Sequence, residues 1–180
     1  MIFAEEIGFN LKKLDATEQE PTHDIKSDDG SCHITVKLLT NKEEYEMFHV
    51  DVHAISETTI AGYERLHRPF CNKRSSEQKD FIMCYDLRES ELPFDVEILK
   101  SLATLKQSLI SEYKTSLICT IVIVESEAVK MILNTLLTTM YTPVRPVRLV
   151  KTSDDANEFL RGEIKNRREH TPDGIYFSQE

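Results

Sequence analysis

Glycine is scarce in this chain, and the few glycines are far apart. The five are Gly8, Gly30, Gly62, Gly162 and Gly174. Loops that cradle a phosphate need clustered glycines, because their backbone N–H groups must come close to the ligand. The scattered glycines therefore argue against a P-loop or a Rossmann nucleotide site. The sequence also lacks G-x-S-x-G, the turn that presents the serine nucleophile of α/β-hydrolases.

Cysteine is less frequent still, and its spacing fits no metal or disulfide motif. The four cysteines include no C-x-x-C pair, which argues against a zinc site and against a disulfide scaffold. Cys84 and Cys119 lie inside apolar runs that predict core strands, where a free thiol behaves as a small hydrophobic side chain. We therefore expect the protein to use no cofactor.

Long apolar runs are also absent. No run reaches the roughly 18 residues that a membrane-spanning helix needs, so we do not expect the chain to span a membrane. Glu5 and Glu6 follow Met1 closely, where a secretory signal would have a basic flank. These features predict a cytoplasmic protein.

Positive charge is outweighed by negative charge. The net charge of −9 opposes binding to nucleic acid or to an anionic membrane, because long-range repulsion acts against both. The positive charge that is present is concentrated in the last quarter of the chain. It comes from Arg145, Arg148, Lys151, Arg161, Lys165, Arg167 and Arg168. A basic face there could bind an anion, but solvated charge on the last strand and helix explains the same pattern.

The composition is that of a globular domain, with 40% hydrophobic and 29% charged residues. A chain of 180 residues is long enough for one domain with a substantial core. We expect an N-terminal extension at 1–21, a single α/β domain at 22–168 and a C-terminal tail at 169–180.

The first half of the predicted domain mixes strand and helix signals. An Asp-Asp-Gly turn between two short alternating runs predicts an N-terminal β-hairpin. A helix is predicted at 42–60, because Tyr45, Phe48 and Val52 recur on one side of it. The polar, proline-containing stretch 65–80 predicts a loop.

From residue 81 onward, strand and helix patterns alternate. Three short apolar runs predict strands at 81–87, 116–124 and 144–150, and a helical period follows each run. Such alternation requires parallel strands joined by right-handed crossovers. The predicted fold is therefore α/β, with a mixed, mainly parallel sheet of four to five strands, the N-terminal hairpin and about four helices.

Four segments carry a resemblance to a known family. The hairpin 25–39, the strands 81–88 and 118–124, and the ending 146–160 together resemble the STAS family and its SpoIIAA-like relatives. These small α/β domains are also grouped with the CRAL-TRIO lipid-binding fold. The resemblance covers about residues 22–168 and rests on the order of the elements and the character of the strands.

The resemblance implies a non-catalytic regulatory or protein-interaction module. Relatives of this kind bind a protein partner, a nucleotide or a lipid. Those with a phosphorylation switch carry Asp-Ser-(Ser/Thr)-Gly at the start of the helix after the central strand, whereas this chain has Arg88-Glu-Ser-Glu-Leu-Pro93. Ser90 is the only hydroxyl in that loop. The loop at 86–93 and the start of the next helix are the implied contact surface.

Polar side chains stand at the carboxyl ends of the predicted strands, where ligands and partners usually meet an α/β sheet. Asp86, Arg88 and Ser90 end the first of these strands. Glu125 and Lys151 follow the next two. We predict that these five residues form the binding surface.

Asp86 has two further interpretations. A receiver-like phospho-acceptor presents a carboxylate at such a strand end, but its magnesium site also needs an acidic pair, and the first strand ends in Leu38-Leu39-Thr40 without one. The other interpretation is structural: Asp86 caps the loop or pairs with Arg88.

His49 and His53 are the only candidates for a metal site. They are four residues apart, which on the predicted helix places both imidazoles on one face at a spacing that can chelate zinc or copper. Two ligands do not make a site, and partly packed histidines on an amphipathic helix explain the same spacing. The sequence therefore predicts no metal centre.

Two further partners stay open. The Leu- and Met-rich helix at 131–140 could line a lipid pocket, although such a stripe also fits an ordinary core. The edge strand of the hairpin could pair with its symmetry mate and form a homodimer.

Overall fold

The computed structural model describes only part of the chain. The described residues are 23–26, 33–41, 45–54, 57–90, 97, 100–101, 103–105, 107–108, 116–140, 143 and 145–169. The predicted extension at 1–21 lies outside them, and so does the predicted tail apart from residue 169. The predicted domain boundaries therefore stay a prediction.

Within the described residues, one sheet contains six strands in chain order. They are β1 (His23–Lys26), β2 (His33–Asn41), β3 (Tyr45–Ala54), β4 (Asp80–Asp86), β5 (Leu117–Ile123) and β6 (Val147–Val150). β1, β2 and β3 pair antiparallel, and β3 to β6 pair parallel. The α/β class, the mixed sheet, the hairpin and the three parallel strands are thus confirmed. The sheet has one strand more than the four to five expected.

The additional strand is β3, where the sequence predicted a helix, and that prediction is wrong. Phe48, Val50 and Val52 alternate on one face of the sheet, and their exposed fractions are 0%, 0% and 4%. His49 and Asp51 point to the opposite face. Side chains that alternate between two faces are typical of a strand, and here both neighbours, β2 and β4, supply hydrogen-bond partners.

Helix α1 (Glu57–Ser76) runs through most of the stretch that was predicted as a loop, so this prediction is also wrong. Pro69 lies inside α1 and is exposed. The end of α1 is fastened to the sheet by Arg74, whose Nε donates to Glu46 Oε2 at 2.6 Å. The same guanidinium lies 5.3 Å from the centre of the Phe48 ring. These contacts offset the backbone hydrogen bond that a proline removes.

The remaining helices follow the predicted order. The described residues among 97–108 are helical. Helix α2 (Glu127–Thr135) continues as one π-helical turn, Leu136–Met140, and α3 (Ser153–Glu169) comes last. Ser126 caps α2, because its Oγ accepts a hydrogen bond from Val129 N at 3.3 Å.

The helices cover the two faces of the sheet unequally. Right-handed crossovers between successive parallel strands place their helices on one face. Ile60 of α1, Leu105 and Leu136 accordingly pack with the Phe48 side of the sheet. On the other face Ala156, Leu160 and Ile164 of α3 pack against Ile82 and its neighbours. None of the described helices has the length and apolarity that a bilayer-spanning segment needs.

Candidate functional site

The carboxyl ends of β4, β5 and β6 meet at one edge of the sheet, because these strands are parallel. The structure places all five predicted binding residues at this edge. Asp86 and Arg88 contact each other. Lys151 follows a strand two positions away from Asp86, which corresponds to about 10 Å at the usual spacing of strands.

Asp86 and Arg88 form a close ion pair. Arg88 Nη2 lies 2.6 Å from Asp86 Oδ2, and Arg88 Nε lies 3.0 Å from Oδ1. The backbone N–H of Arg88 also donates to Oδ1 at 3.1 Å. Asp86 therefore both pairs with Arg88 and caps the turn that follows β4, as its structural interpretation predicted.

His49 is a third member of this site, and the sequence did not predict it. Its Nε2 lies 3.3 Å from Asp86 Oδ2, and the residue is only 3% exposed. A carboxylate can only accept a hydrogen bond, so Nε2 carries the proton in this pair. Burial raises the pKa of Asp86, but the contacts with His49 and Arg88 outweigh burial and hold this pKa well below the ordinary range. Asp86 is thus a fixed carboxylate.

Asp51 and His53 extend the polar surface along β3. Asp51 is aligned with Asp86 on the neighbouring strand. Its Oδ2 lies 3.5 Å from His53 Nε2, and both side chains are partly exposed. We call His49, Asp51, His53, Asp86 and Arg88 the polar corner. It lies on the same sheet face as α3, beyond the apolar core that α3 covers.

Two buried polar atoms in this region have no hydrogen-bond partner among the described residues. They are His49 Nδ1 and Thr35 Oγ1, and Thr35 on β2 is aligned with Asp51. An unpaired buried polar group costs about 1–3 kcal/mol, so such groups are rare in folded proteins.

The two histidines considered for a metal lie on a strand and not on a helix. Four residues along a strand span about 13 Å, so one ion cannot contact both His49 and His53. Among the residues that the structure describes, no group of three or more His, Cys, Asp or Glu side chains could hold a metal ion.

The turn after β4 is fastened to the strands on both sides of it. Ser90 Oγ donates to the carbonyl oxygen of Val52 on β3. Leu87 N donates to Ile123 O on β5 at 3.0 Å. Glu89 is the exposed side chain of the turn. The turn at 87–90 therefore presents Glu89 from a backbone held on both sides, whereas the predicted contact residues 91–93 lie outside the described residues.

The prediction that Cys84 and Cys119 lie in the core is confirmed. Their burial should make both thiols slow to react. Cys84 and Cys119 are both 0% exposed, and burial raises the pKa of each thiol. In a variant with Cys32 and Cys71 changed to serine, we expect alkylation by iodoacetamide at least about 100-fold slower in native protein than in urea. Mass spectrometry over time measures this. Fast alkylation of either thiol without urea would contradict the buried placement.

The comparisons with known proteins add no relative. No family model matches the chain, and no curated protein or solved structure matches it significantly. The STAS-like assignment accordingly stays a prediction from the segments described above.

Proposed function

We propose that the chain is a non-catalytic regulatory or protein-interaction module of the STAS/SpoIIAA-like type. It binds a protein partner through the carboxyl edge of its parallel strands. The observation that carries this proposal is that the carboxylate of Asp86 is held by contacts with Arg88 and His49. A carboxylate held in this way shapes the surface and is poorly placed to react.

Reaction at Asp86 would require an accessible oxygen. Asp86 is 5% exposed, and both of its oxygens already accept hydrogen bonds. A phospho-acceptor also binds magnesium through several oxygen ligands, which must compete with the Arg88 cation for the same carboxylate. These facts favour the interaction module over a receiver-like phospho-acceptor.

The exposed charges at this edge suit recognition of a protein. Glu89, Glu125 and Glu127 are exposed, and so is Lys151, whose Nζ lies 3.7 Å from Glu127 Oε1. We call these four residues the rim. Exposed charges of this kind steer a partner and select its orientation.

A lipid carrier receives less support. A groove of about 300 Å³ beside α2 is open and is lined by Glu127, Lys130, Met131, Asn134, Thr135 and Thr138. Pockets for apolar ligands are enclosed and lined mainly by apolar side chains, and only one of these six is apolar.

Charge reversal at the rim tests the proposal. We expect the double variant Glu89→Lys, Glu125→Lys to lose at least about tenfold in affinity for a partner captured from the native cell, because the steering charges change sign. The double variant Glu77→Lys, Glu158→Lys, which makes the same charge change at two exposed positions away from the rim, is the matched control and should retain binding. Binding is measured by titration with the purified partner.

Two results would overturn the proposal. One is a partner that binds the rim variant and wild type equally well. The other is a mass gain on incubation with acetyl phosphate and magnesium that Asp86→Asn abolishes, since this would make the chain a phospho-acceptor. Lipid that co-purifies in native mass spectrometry would point instead to a carrier.

A further inference from the structure

The outer edge of β6 has unused backbone groups. Among the described residues β6 pairs only with β5, and it is the last strand of the sheet. Val124 N donates to Val150 O at 3.0 Å, and Thr120 N donates to Pro146 O at 2.9 Å. Backbone groups of a strand point alternately to either side. Those of Val147 and Leu149 therefore point away from the sheet.

The side chains of β6 give its two faces different chemistry. Arg148 is exposed and lies on the α3 face, where it is aligned with Ile121. Val147 and Leu149 are half-buried on the other face, and Leu149 is aligned with Val122, which is also half-buried. A strand added here would meet an apolar surface on one face and a cation on the other.

Positive charge continues beyond both ends of the strand. Arg145 precedes β6, and Lys151, a rim residue that also pairs with Glu127, follows it with 57% of its side chain exposed. Arg145, Arg148 and Lys151 are thus a local concentration of positive charge in a chain with a net charge of −9. An incoming strand is therefore favoured if its own charges are negative.

A second copy of the chain fits this edge poorly. Antiparallel pairing of two β6 strands with Val147 of one copy opposite Leu149 of the other would place Arg148 opposite its symmetry mate, and like charges opposite each other destabilise a strand pair. The flanking basic residues of the two copies would also meet. The partner that matches the edge is an extended segment with acidic and apolar side chains in alternation.

We infer that the free edge of β6 binds an extended acidic segment of a partner protein, which joins the sheet as a further strand. Backbone hydrogen bonds to Val147 and Leu149 supply affinity, and contact with Arg148 supplies the preference for acidic side chains. This surface lies along the side of the sheet, whereas the rim lies at the ends of the strands. The inference therefore goes beyond the proposed function and does not depend on Glu89 or Glu125.

A pair of peptides tests this inference. The probe is a blocked octapeptide of alternating glutamate and valine, and its counterpart has lysine in place of glutamate. We expect the glutamate peptide to bind wild type at least about tenfold more tightly, and Arg148→Glu to reverse this preference. Fluorescence polarisation measures the affinities, and hydrogen exchange should slow at the amides of Val147 and Leu149 when the peptide binds.

Three variants separate the possible outcomes. Arg65→Glu makes the same charge change at an exposed position of α1 and should leave the preference intact. Leu149→Pro removes an N–H that no other described strand uses, so it should weaken binding while β5 and β6 stay paired. Glu89→Lys should have no effect, which distinguishes this site from the rim.

The inference is overturned if neither peptide binds wild type, if both bind equally, or if Arg148→Glu leaves the preference unchanged. Binding of single-stranded DNA in preference to the glutamate peptide would also overturn it, because the basic residues would then serve a nucleic acid.

Discussion

Replacement of Asp86 by asparagine is expected to lower the free energy of unfolding by about 2–4 kcal/mol at pH 7. The variant leaves the Arg88 cation without its counter-charge at a site where Arg88 is only 17% exposed. It also weakens the bond to His49, whose Nε2–H is buried and has Asp86 as its acceptor. Urea denaturation followed by circular dichroism measures the loss.

The loss should depend on pH in a defined direction. The pKa of Asp86 in the folded protein lies well below that of an unfolded carboxyl, about 3.9. Its contribution is therefore complete above the unfolded pKa and is lost as the pH falls towards the folded pKa. The difference between wild type and Asp86→Asn should be largest at neutral pH and should shrink below about pH 4. A constant difference from pH 7 to pH 3 would contradict the low pKa of Asp86.

A matched change elsewhere controls for general effects of charge. Glu158→Gln neutralises an exposed carboxylate in the middle of α3 and should change the stability by less than about 0.5 kcal/mol. If the two variants lose similar stability, the effect of Asp86→Asn comes from net charge and not from its contacts.

The parallel strands β4 and β5 could be predicted from the sequence because each is a short, continuous apolar run, whereas the exposed Arg148 interrupts the apolar residues of β6. Such a run arises when both faces of a strand are covered, as they are here by the helices on either side. Ile82 and Met83 illustrate this, since adjacent residues point to opposite faces and both are almost fully buried. The polar residues that end each run then mark the edge of the sheet.

β3 could not be predicted in the same way, because the face that it turns to α3 is apolar only in the first half of the strand. Tyr45 and Met47 contact the α3 side of the core, whereas His49 and Asp51 further along the same face are polar. The spacing between Tyr45, Phe48 and Val52 also fits a helix. The strand signal was the alternation of the apolar residues Phe48, Val50 and Val52 with polar ones. It includes only three apolar positions.

The error in β3 is the reason that His49 was missing from the predicted site. The sequence places Asp86 and Arg88 together because they are two residues apart. Contact with His49, 37 residues away, depends on the register between β3 and β4. That register results from tertiary packing, and no local pattern predicts it. For the same reason, α1 was predicted as a loop from Pro69 and polar residues, although Arg74 fastens it to β3.

Both proposed surfaces depend on this central part of the sheet. β3 supplies the acceptor for Ser90 and the hydrogen-bond donor for Asp86, so it holds the turn that carries Glu89. β5 holds the same turn from the other side and also pairs with β6. A change that loosens β3 should therefore disturb the rim, while the pairing of β5 with β6 is less directly affected.

Phe48→Ala is expected to lower the free energy of unfolding by about 3–5 kcal/mol, which is a large part of the total stability of a typical domain. Phe48 is 0% exposed, and its ring contacts the Arg74 guanidinium as well as the core. Truncation leaves a cavity between β3 and α1 and removes the surface on which Arg74 lies. Urea denaturation measures the loss, and hydrogen exchange should become faster first at the amides of β3.

Phe48→Leu is the matched control because it keeps most of the apolar volume and removes only the aromatic ring. It should cost less than about 2 kcal/mol, since a smaller cavity remains and only the cation–π contact is lost outright. The difference between the two losses in free energy of unfolding separates the contribution of apolar packing from that of the cation–π contact. If Phe48→Ala cost no more than Phe48→Leu, the packing of β3 against α1 would be wrong.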